Sequence, residues 1–433
     1  MSRTILALCT VFPEPNSSAA GQHLLSLLRV FAETGDKIHI ASAAQQDDSA
    51  PDLSRMGYEV HSVALNCSSF NVWVRELQPD IVFYDRFMLE EQFSWRVREN
   101  VPKAMHVLDT EDLHSLRHLR QDIIKRQAFC DVSWPALKDL HQHHHVMHHP
   151  LALREIGSIL RSDLSLIISP VEMQILTHCY PIVAAQLHHC PFLLPDKDDI
   201  PTPFNERKDF VFIGNYRHAP NWDAVRVLAQ HIWPVIRQQL PNAQCHIYGA
   251  YTPPKAQQLH QPHKGFHIQG YAKDALATIR QAKVQLAPLR FGAGLKGKVC
   301  EAIRCHTPIV TTDIGWEGIS KTVPHVPLHS EADIQQFAAV AIELYTCENT
   351  WQHFNQIAQQ ELDKHFNTVQ HSQALVHVVN DLFNTLPAHR NQLFLQQILT
   401  QQQHASHKYM SQWIEAKQTI AQLSASYQTP EID

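Results

Sequence analysis

The feature that most constrains this chain is an alternation, run through twice, of short apolar segments with amphipathic stretches of helical period. Residues 5–9, 38–42, 81–85, 104–108 and 164–169 read as strands. Between them apolar residues recur at helical spacing, as in Leu24, Leu25, Leu27, Leu28 and Phe31, near 151–160 before Asp163, and around 172–176. Strands separated in this way pair in parallel, with helices covering the sheet. From Pro191 to Pro203 the chain reads PFLLPDKDDIPTP, a proline- and acid-rich break that marks a domain boundary. The alternation then restarts, with strands at 210–213, 245–248, 266–269, 284–287 and 308–311 and helices at 223–240 and 298–304. The pattern predicts two doubly wound α/β domains, 1–195 and 205–386, facing a cleft in which ligands bind beyond the carboxyl ends of the strands. From residue 331 the pattern is helical only, and 387–433 forms a glutamine-rich tail. That last part reads either as an appendage packed on the first domain or as a partner-binding tail.

Composition narrows the function classes. The 433 residues are 44% hydrophobic and 18% charged, which is globular and sufficient for more than one core. The net charge of −6, from 36 basic and 42 acidic residues, argues against a broad nucleic-acid footprint. No apolar run reaches the roughly 18–20 residues of a membrane helix, so the chain reads as soluble. Arg3, the apolar run 5–12 and the small residues 17–20 imitate a short signal peptide, but the alternation that follows favours a first strand. The nine cysteines are odd in number and scattered, which suits free thiols in a reducing cytoplasm.

The chemistry concentrates in APLRFGAGLKGKVCEA, residues 287–302. A strand runs into a loop with Gly292, Gly294 and Gly297, and a helix starts near Lys298. Glycines let backbone amides approach an anion, and the helix N-terminus adds about half a positive charge. Arg290, Lys296 and Lys298 bring cations to the same loop, and Glu301, one turn into the helix, is placed to accept hydrogen bonds from a ribose diol. The ending is not that of a Walker loop. The alternative is a plain strand-to-helix turn with solvated charges. In FVFIGNYRHAPNWDA, 210–224, a second strand-to-loop junction carries Arg217 and His218, with Asn221 expected as an N-cap. Arg217 there is either a phosphate ligand or a surface arginine.

These segments, with IWPVIRQQLP, CHIYG, Gly270-Tyr271 and IRCHTPIVTTDIGWEGI, resemble the second domain of GT-B glycosyltransferases of family 4, the glycosyl transferases group 1. The resemblance covers 210–319 closely and extends by pattern to about Leu386. It implies a GT-B architecture of two Rossmann-like domains with a C-terminal helical extension. It also implies an enzyme that passes a sugar from a nucleotide-sugar to an acceptor hydroxyl, with retention and without a metal. By the same resemblance Arg217 and Lys296, with Lys298 as a substitute, hold the donor diphosphate, Glu301 the ribose, and the backbone at Gly270 and Tyr271 the base. Gly21 resembles the first-domain glycine whose backbone faces the donor phosphate. Two departures stand out. Ala293 occupies the position of the first glutamate of the family's Glu-x7-Glu pattern, which leaves the sugar open. His306 stands where relatives often have a glycine in a left-handed conformation.

In the first domain, LDTEDLHSLR, 108–117, would project Asp109, Glu111, Asp112 and His114 into the cleft. His114 and Asp112 are the candidates beside the transferring carbon; the alternative is a set of acids capping the next helix. Glu172, in ISPVE, resembles a family position and is expected to shape a turn. The run HQHHHVMHH, 141–149, has histidines at i, i+4 spacing but no third ligand, and no metal is assigned. The expected partners are a nucleotide-sugar and a glycan or lipid-linked acceptor, with no nucleic acid, in bacterial cell-surface glycan synthesis at the cytoplasmic side, with peripheral membrane contact open. Two other classes remain: a nucleotide-sugar epimerase or other hydrolytic enzyme using Asp109, Glu111 and Asp112, and a non-catalytic scaffold, which the change at Ala293 and the glutamine-rich tail would fit.

Overall fold

The computed structural model describes residues 2–14, 19–45, 52–126, 147–194, 201–402 and 404–426. The first domain is a seven-stranded parallel sheet of β1 (Thr4–Cys9), β2 (Lys37–Ser42), β3 (Glu59–Ser62), β4 (Ile81–Asp85), β5 (Met105–Asp109), β6 (Leu164–Ile167) and β7 (Leu187–His189), in the order β3-β2-β1-β4-β5-β6-β7. The second is a five-stranded parallel sheet of β8 (Lys208–Ile213), β9 (Cys245–Tyr248), β10 (Phe266–Gly270), β11 (Ala282–Ala287) and β12 (Ile309–Thr311), ordered β10-β9-β8-β11-β12. Side chains alternate across a strand, so Ile5 and Ala7 enter one apolar cluster while Leu6 and Leu8 enter another on the opposite face. Burial on both faces is what a parallel sheet requires and what the near-continuous apolar runs encode. Every strand read from the sequence is present. The two it omitted, β3 and β7, are polar, three or four residues long, and lie at the sheet edges.

Strand order fixes where function sits. In the first sheet the order reverses between β1 and β4, and in the second between β8 and β11. Loops leaving the carboxyl ends of such neighbours diverge and open a crevice. The loops after β1, β4 and β5 therefore face those after β8 and β11.

The long helix expected after β8 is broken into Ala219–Val227, a π turn at Leu228–Ile232, and Trp233–Gln239. Pro234 lacks an amide N–H, and the wider turn before it accommodates that loss. His306 does take the left-handed conformation, at φ +50°. It closes the preceding helix, Gly297–Arg304, with Thr307 N donating to Ala302 O at 2.9 Å.

The chain leaves the second domain earlier than residue 386. The helix Thr368–Gln392 crosses to the first domain and buries Leu375, Val379 and Leu386 in its core. The crossing is pinned by Thr368 Oγ1 to Leu194 O at 2.6 Å and by Arg390 to Asp163 at 2.7 Å. The glutamine-rich helices Phe394–Gln402 and His404–Ser426 follow on the same domain, through Gln396 Nε2 to Asp163 Oδ1 (2.9 Å), Lys408 to Glu99 (2.7 Å) and Ser68 Oγ to Glu415 (2.7 Å). Of the two readings of this region, the appendage on the first domain is the observed one. Among the described residues no helix is long and apolar enough to cross a membrane.

Candidate active site

A cleft of about 750 Å³ lies between the two switch points. Its second-domain wall is built by the loops after β8 and β11. Arg217 is exposed there, its backbone amide donating to Asn215 Oδ1 at 2.8 Å and its guanidinium 3.6 Å above the Tyr251 ring. Asn221 does not cap the helix, which begins at Ala219. Its Nδ2 donates to Asn215 O at 2.9 Å and its Oδ1 accepts from Lys298 Nζ, tying the two loops together. Burial lowers the Lys298 ammonium to about 8, partly countered by Glu301, and burial in turn raises Glu301. Lys296 is buried beneath the glycine loop, with Nζ donating to Gly294 O at 2.9 Å and lying 3.7 Å from Glu317 Oε1.

Three expected residues are placed differently. Arg290 does not line the cleft and forms a two-point pair with Asp223 at 2.6 and 2.8 Å. Gly270 turns the chain at φ +79° without lining the cleft, while Tyr271 beside it is exposed there. Gly21 is also outside the lining. A Cβ on it would lie 2.7 Å from Glu14 N, so the glycine seats the helix Ala19–Glu33 against the preceding loop. The start of that helix does reach the cleft through Ala19, Ala20 and Gln22.

The first-domain wall is acidic. Asp112 receives Arg117 and lies 3.3 Å from His114 Nε2, while the His114 ring meets Phe87 edge-on at 5.5 Å. Burial lowers His114 to about 4. Although burial pushes Asp112 up, Arg117 and His114 hold it below its ordinary value. The helix that follows, His114–Arg126, is not capped by its own acids. Glu155 accepts from His114 N at 2.7 Å and Ser115 N at 3.0 Å, which leaves Asp112 to the cleft. Behind it Asp85, Asp109 and Glu111 surround Arg86, and both Arg86 and Glu111 adopt positive φ, +75° and +61°. Burial, then Asp85, raises Asp109 to about 7.

The two walls are latched. Glu172 does more than shape a turn: its Oε1 accepts from Leu113 N at 3.0 Å in its own domain and from Gly294 N at 2.7 Å in the other. Arg120 donates to Gly292 O at 2.7 Å and pairs with Glu317 at 2.6 Å. A Cβ on Gly294, at φ +62°, would lie 2.7 Å from Asp112 Cβ, so only glycine allows this approach. Arg86, Arg117, Arg120, Glu155 and Glu317 were not singled out from sequence. Arg120, Glu155 and Glu317 have partners distant in the chain, and no local pattern marks them; Arg86 and Arg117 have near neighbours, Asp85 and Asp112, as partners.

This arrangement of two doubly wound domains, with a cationic glycine loop opposite an acid wall, is a GT-B architecture. The family model of the group 1 glycosyl transferases matches residues 207–347, the second domain. Solved structures share the fold. A glycosyltransferase from Rickettsia africae aligns at 10% identity and TM-score 0.60 over 88% of this chain and 98% of its own. HepE of Anabaena, in complex with UDP and glucose, aligns at 11% and 0.60 over 87% and 99%. Sucrose-phosphate synthase of Thermosynechococcus elongatus aligns at 12% and 0.63 over 88% and 100%. No curated protein matches the sequence.

Proposed function

We propose that this enzyme binds a nucleoside diphosphate sugar with its nucleotide on the second domain and transfers the sugar, with retention, to an acceptor hydroxyl presented by the first. The observation that carries the reading is the convergence of Arg217, Lys298 and Glu301 with His114 and Asp112 on one cleft. Glycosyl transfer must stabilise the charge that develops on the departing diphosphate. Fixed cations, loop amides and a helix N-terminus supply that stabilisation without reorganisation, and losing one such donor costs about 10²–10³ in rate. Lys298 and Lys296 suit this role because burial weakens their hold on the proton, and an arriving dianion restores it. No metal is needed in this scheme. Glu301 takes the ribose and Tyr271 lies against the base. His114, neutral at working pH, stands beside the transferring carbon with Asp112 fixing its orientation, and the departing phosphate takes the acceptor proton. The complex of HepE with UDP and glucose supports a nucleotide-sugar as the donor class. By family resemblance the product belongs to cell-surface glycan synthesis at the cytoplasmic face.

The test is a thermal-shift screen against UDP, GDP, ADP, TDP and their sugar conjugates, repeated with Lys298→Ala, Lys296→Ala and Glu301→Ala. A ligand at 100 times its Kd stabilises the fold by about 2.7 kcal/mol. One nucleotide should raise the midpoint, and the variants should lose the rise. No shift with any nucleotide in the folded wild type would overturn the donor site.

A further inference from the structure

Away from the cleft, the edge of the first sheet brings together a second set of chemically able side chains. His39 on β2 stands opposite Glu59 on the edge strand β3, and His61 follows Glu59 by two residues, on the same face of the strand. His39 Nδ1 lies 3.0 Å from His61 Nε2 and 3.5 Å from Glu59 Oε2, and the three ligand atoms all fall within 4.8 Å of one another. An ion held at about 2.0–2.2 Å by nitrogen and oxygen donors keeps neighbouring donors roughly 3–3.5 Å apart, so small side-chain movements suffice to admit one. The cluster is partly enclosed. His39 is buried, and the Trp73 ring packs 5.0 Å from that of His61, while Glu59 at 65% side-chain exposure leaves an entry path. Two imidazoles that meet nitrogen to nitrogen hold one proton between them, and a divalent ion can take its place.

We propose that His39, Glu59 and His61 bind a divalent ion of borderline softness, Zn²⁺ in the first instance, with water completing the coordination. Two imidazoles and one carboxylate are a recurrent zinc donor set. None of the three residues lines the donor cleft. The ion would act as a clip: among the described residues β3 pairs only with β2, through four residues, and the ion adds a cross-strand tie at this sheet edge. This site is independent of the donor reading.

The experiment titrates the full chain, stripped with EDTA, with Zn²⁺ against a chromophoric chelator, and with Co²⁺ read by its visible absorption. Wild type is compared with His61→Gln and Glu59→Gln. The histidine-rich run 141–149 offers ions another home and is unchanged in all three chains, so only differences between them count. Wild type should take up one equivalent more of Zn²⁺ than His61→Gln, and its midpoint should rise with Zn²⁺ more than the variant's. Glu59→Gln should weaken this equivalent by about 10–100-fold, at least what the loss of a group supporting a ligand costs. If His61→Gln does not fold, Glu59→Gln at its exposed position decides alone. Equal stoichiometry, affinity and thermal response in wild type and the folded variants overturns the site.

Discussion

On the second-domain wall of the cleft, Arg217, Lys296 and Lys298 come from two loops of one switch point, whereas the first-domain wall gathers Asp85, Asp109, Glu111 and Asp112 around Arg86 and Arg117. The cationic wall needs little more than a glycine loop and a helix start, both of which a short contiguous segment supplies. The acid wall would repel a diphosphate if every carboxyl were ionised. Burial prevents this, raising Asp109 to about 7 and Glu111 well above its ordinary value, so that Asp112, held down by its cations, carries the charge at the front. One wall is thus a device for binding an anion, and the other a group of acids around two arginines in which burial holds Asp109 and Glu111 back from ionising.

Substitutions can break that contrast. The largest effect is expected from His114→Gln, with turnover of the nucleotide-sugar falling by about 10²–10⁴ if the imidazole serves the reaction, while the thermal response to nucleotide stays. Because His114 titrates near 4, the wild-type rate should show no break from this group near 6.5, and a pH–rate profile checks that. Lys298→Ala should do the reverse: the nucleotide response goes and kcat/KM falls about 10²–10³. Gly294→Ala places a Cβ against Asp112 at positive φ, which should cost about 1–3 kcal/mol in urea unfolding and lower turnover by keeping the walls apart. Arg290→Ala should cost about 1.5–3 kcal/mol through the lost pair with Asp223, yet leave nucleotide affinity unchanged. A loss of affinity there would return Arg290 to the donor site.

The same contrast explains what could be read from sequence. The strands, the glycine loop, Lys298 and Glu301 are local patterns, and periodicity with helix-start chemistry finds them. Arg290 reads from sequence as an available cation on a phosphate-like loop, and its pair with Asp223, 67 residues away, has no local signal. Asn221 was misread because helix starts are uncertain by a turn: Pro220 already sits in the first turn, leaving Asn221 to bridge Asn215 and Lys298. Glu155, Arg120 and Glu317 had no local signal, since each acts through a group distant in the chain. The second-domain end at 386 failed for a similar reason. The helix from Thr368 has the apolar spacing of any surface helix, and only the fold says which domain it covers.

The last effect concerns the latch, and its sign is informative. Burial first, and then Asp112, raises Glu172 to about 8, against the bonds from Leu113 N and Gly294 N and the pull of Lys296. A carboxyl whose pKa is raised on folding gives stability that is complete below its unfolded value, near 4.5, and lost as the pH rises through about 8. Glutamine keeps an acceptor for both amides and cannot ionise. Glu172→Gln should therefore match the wild type near pH 5 and become the more stable of the two as the pH approaches 8 to 9, in urea unfolding measured across that range. If the latch also holds the catalytic geometry, the wild-type rate should decline over the same alkaline range and the variant's should not. A constant difference in stability at all pH values would mean that Glu172 stays ionised between the walls, and that the acid wall carries more charge than its burial implies.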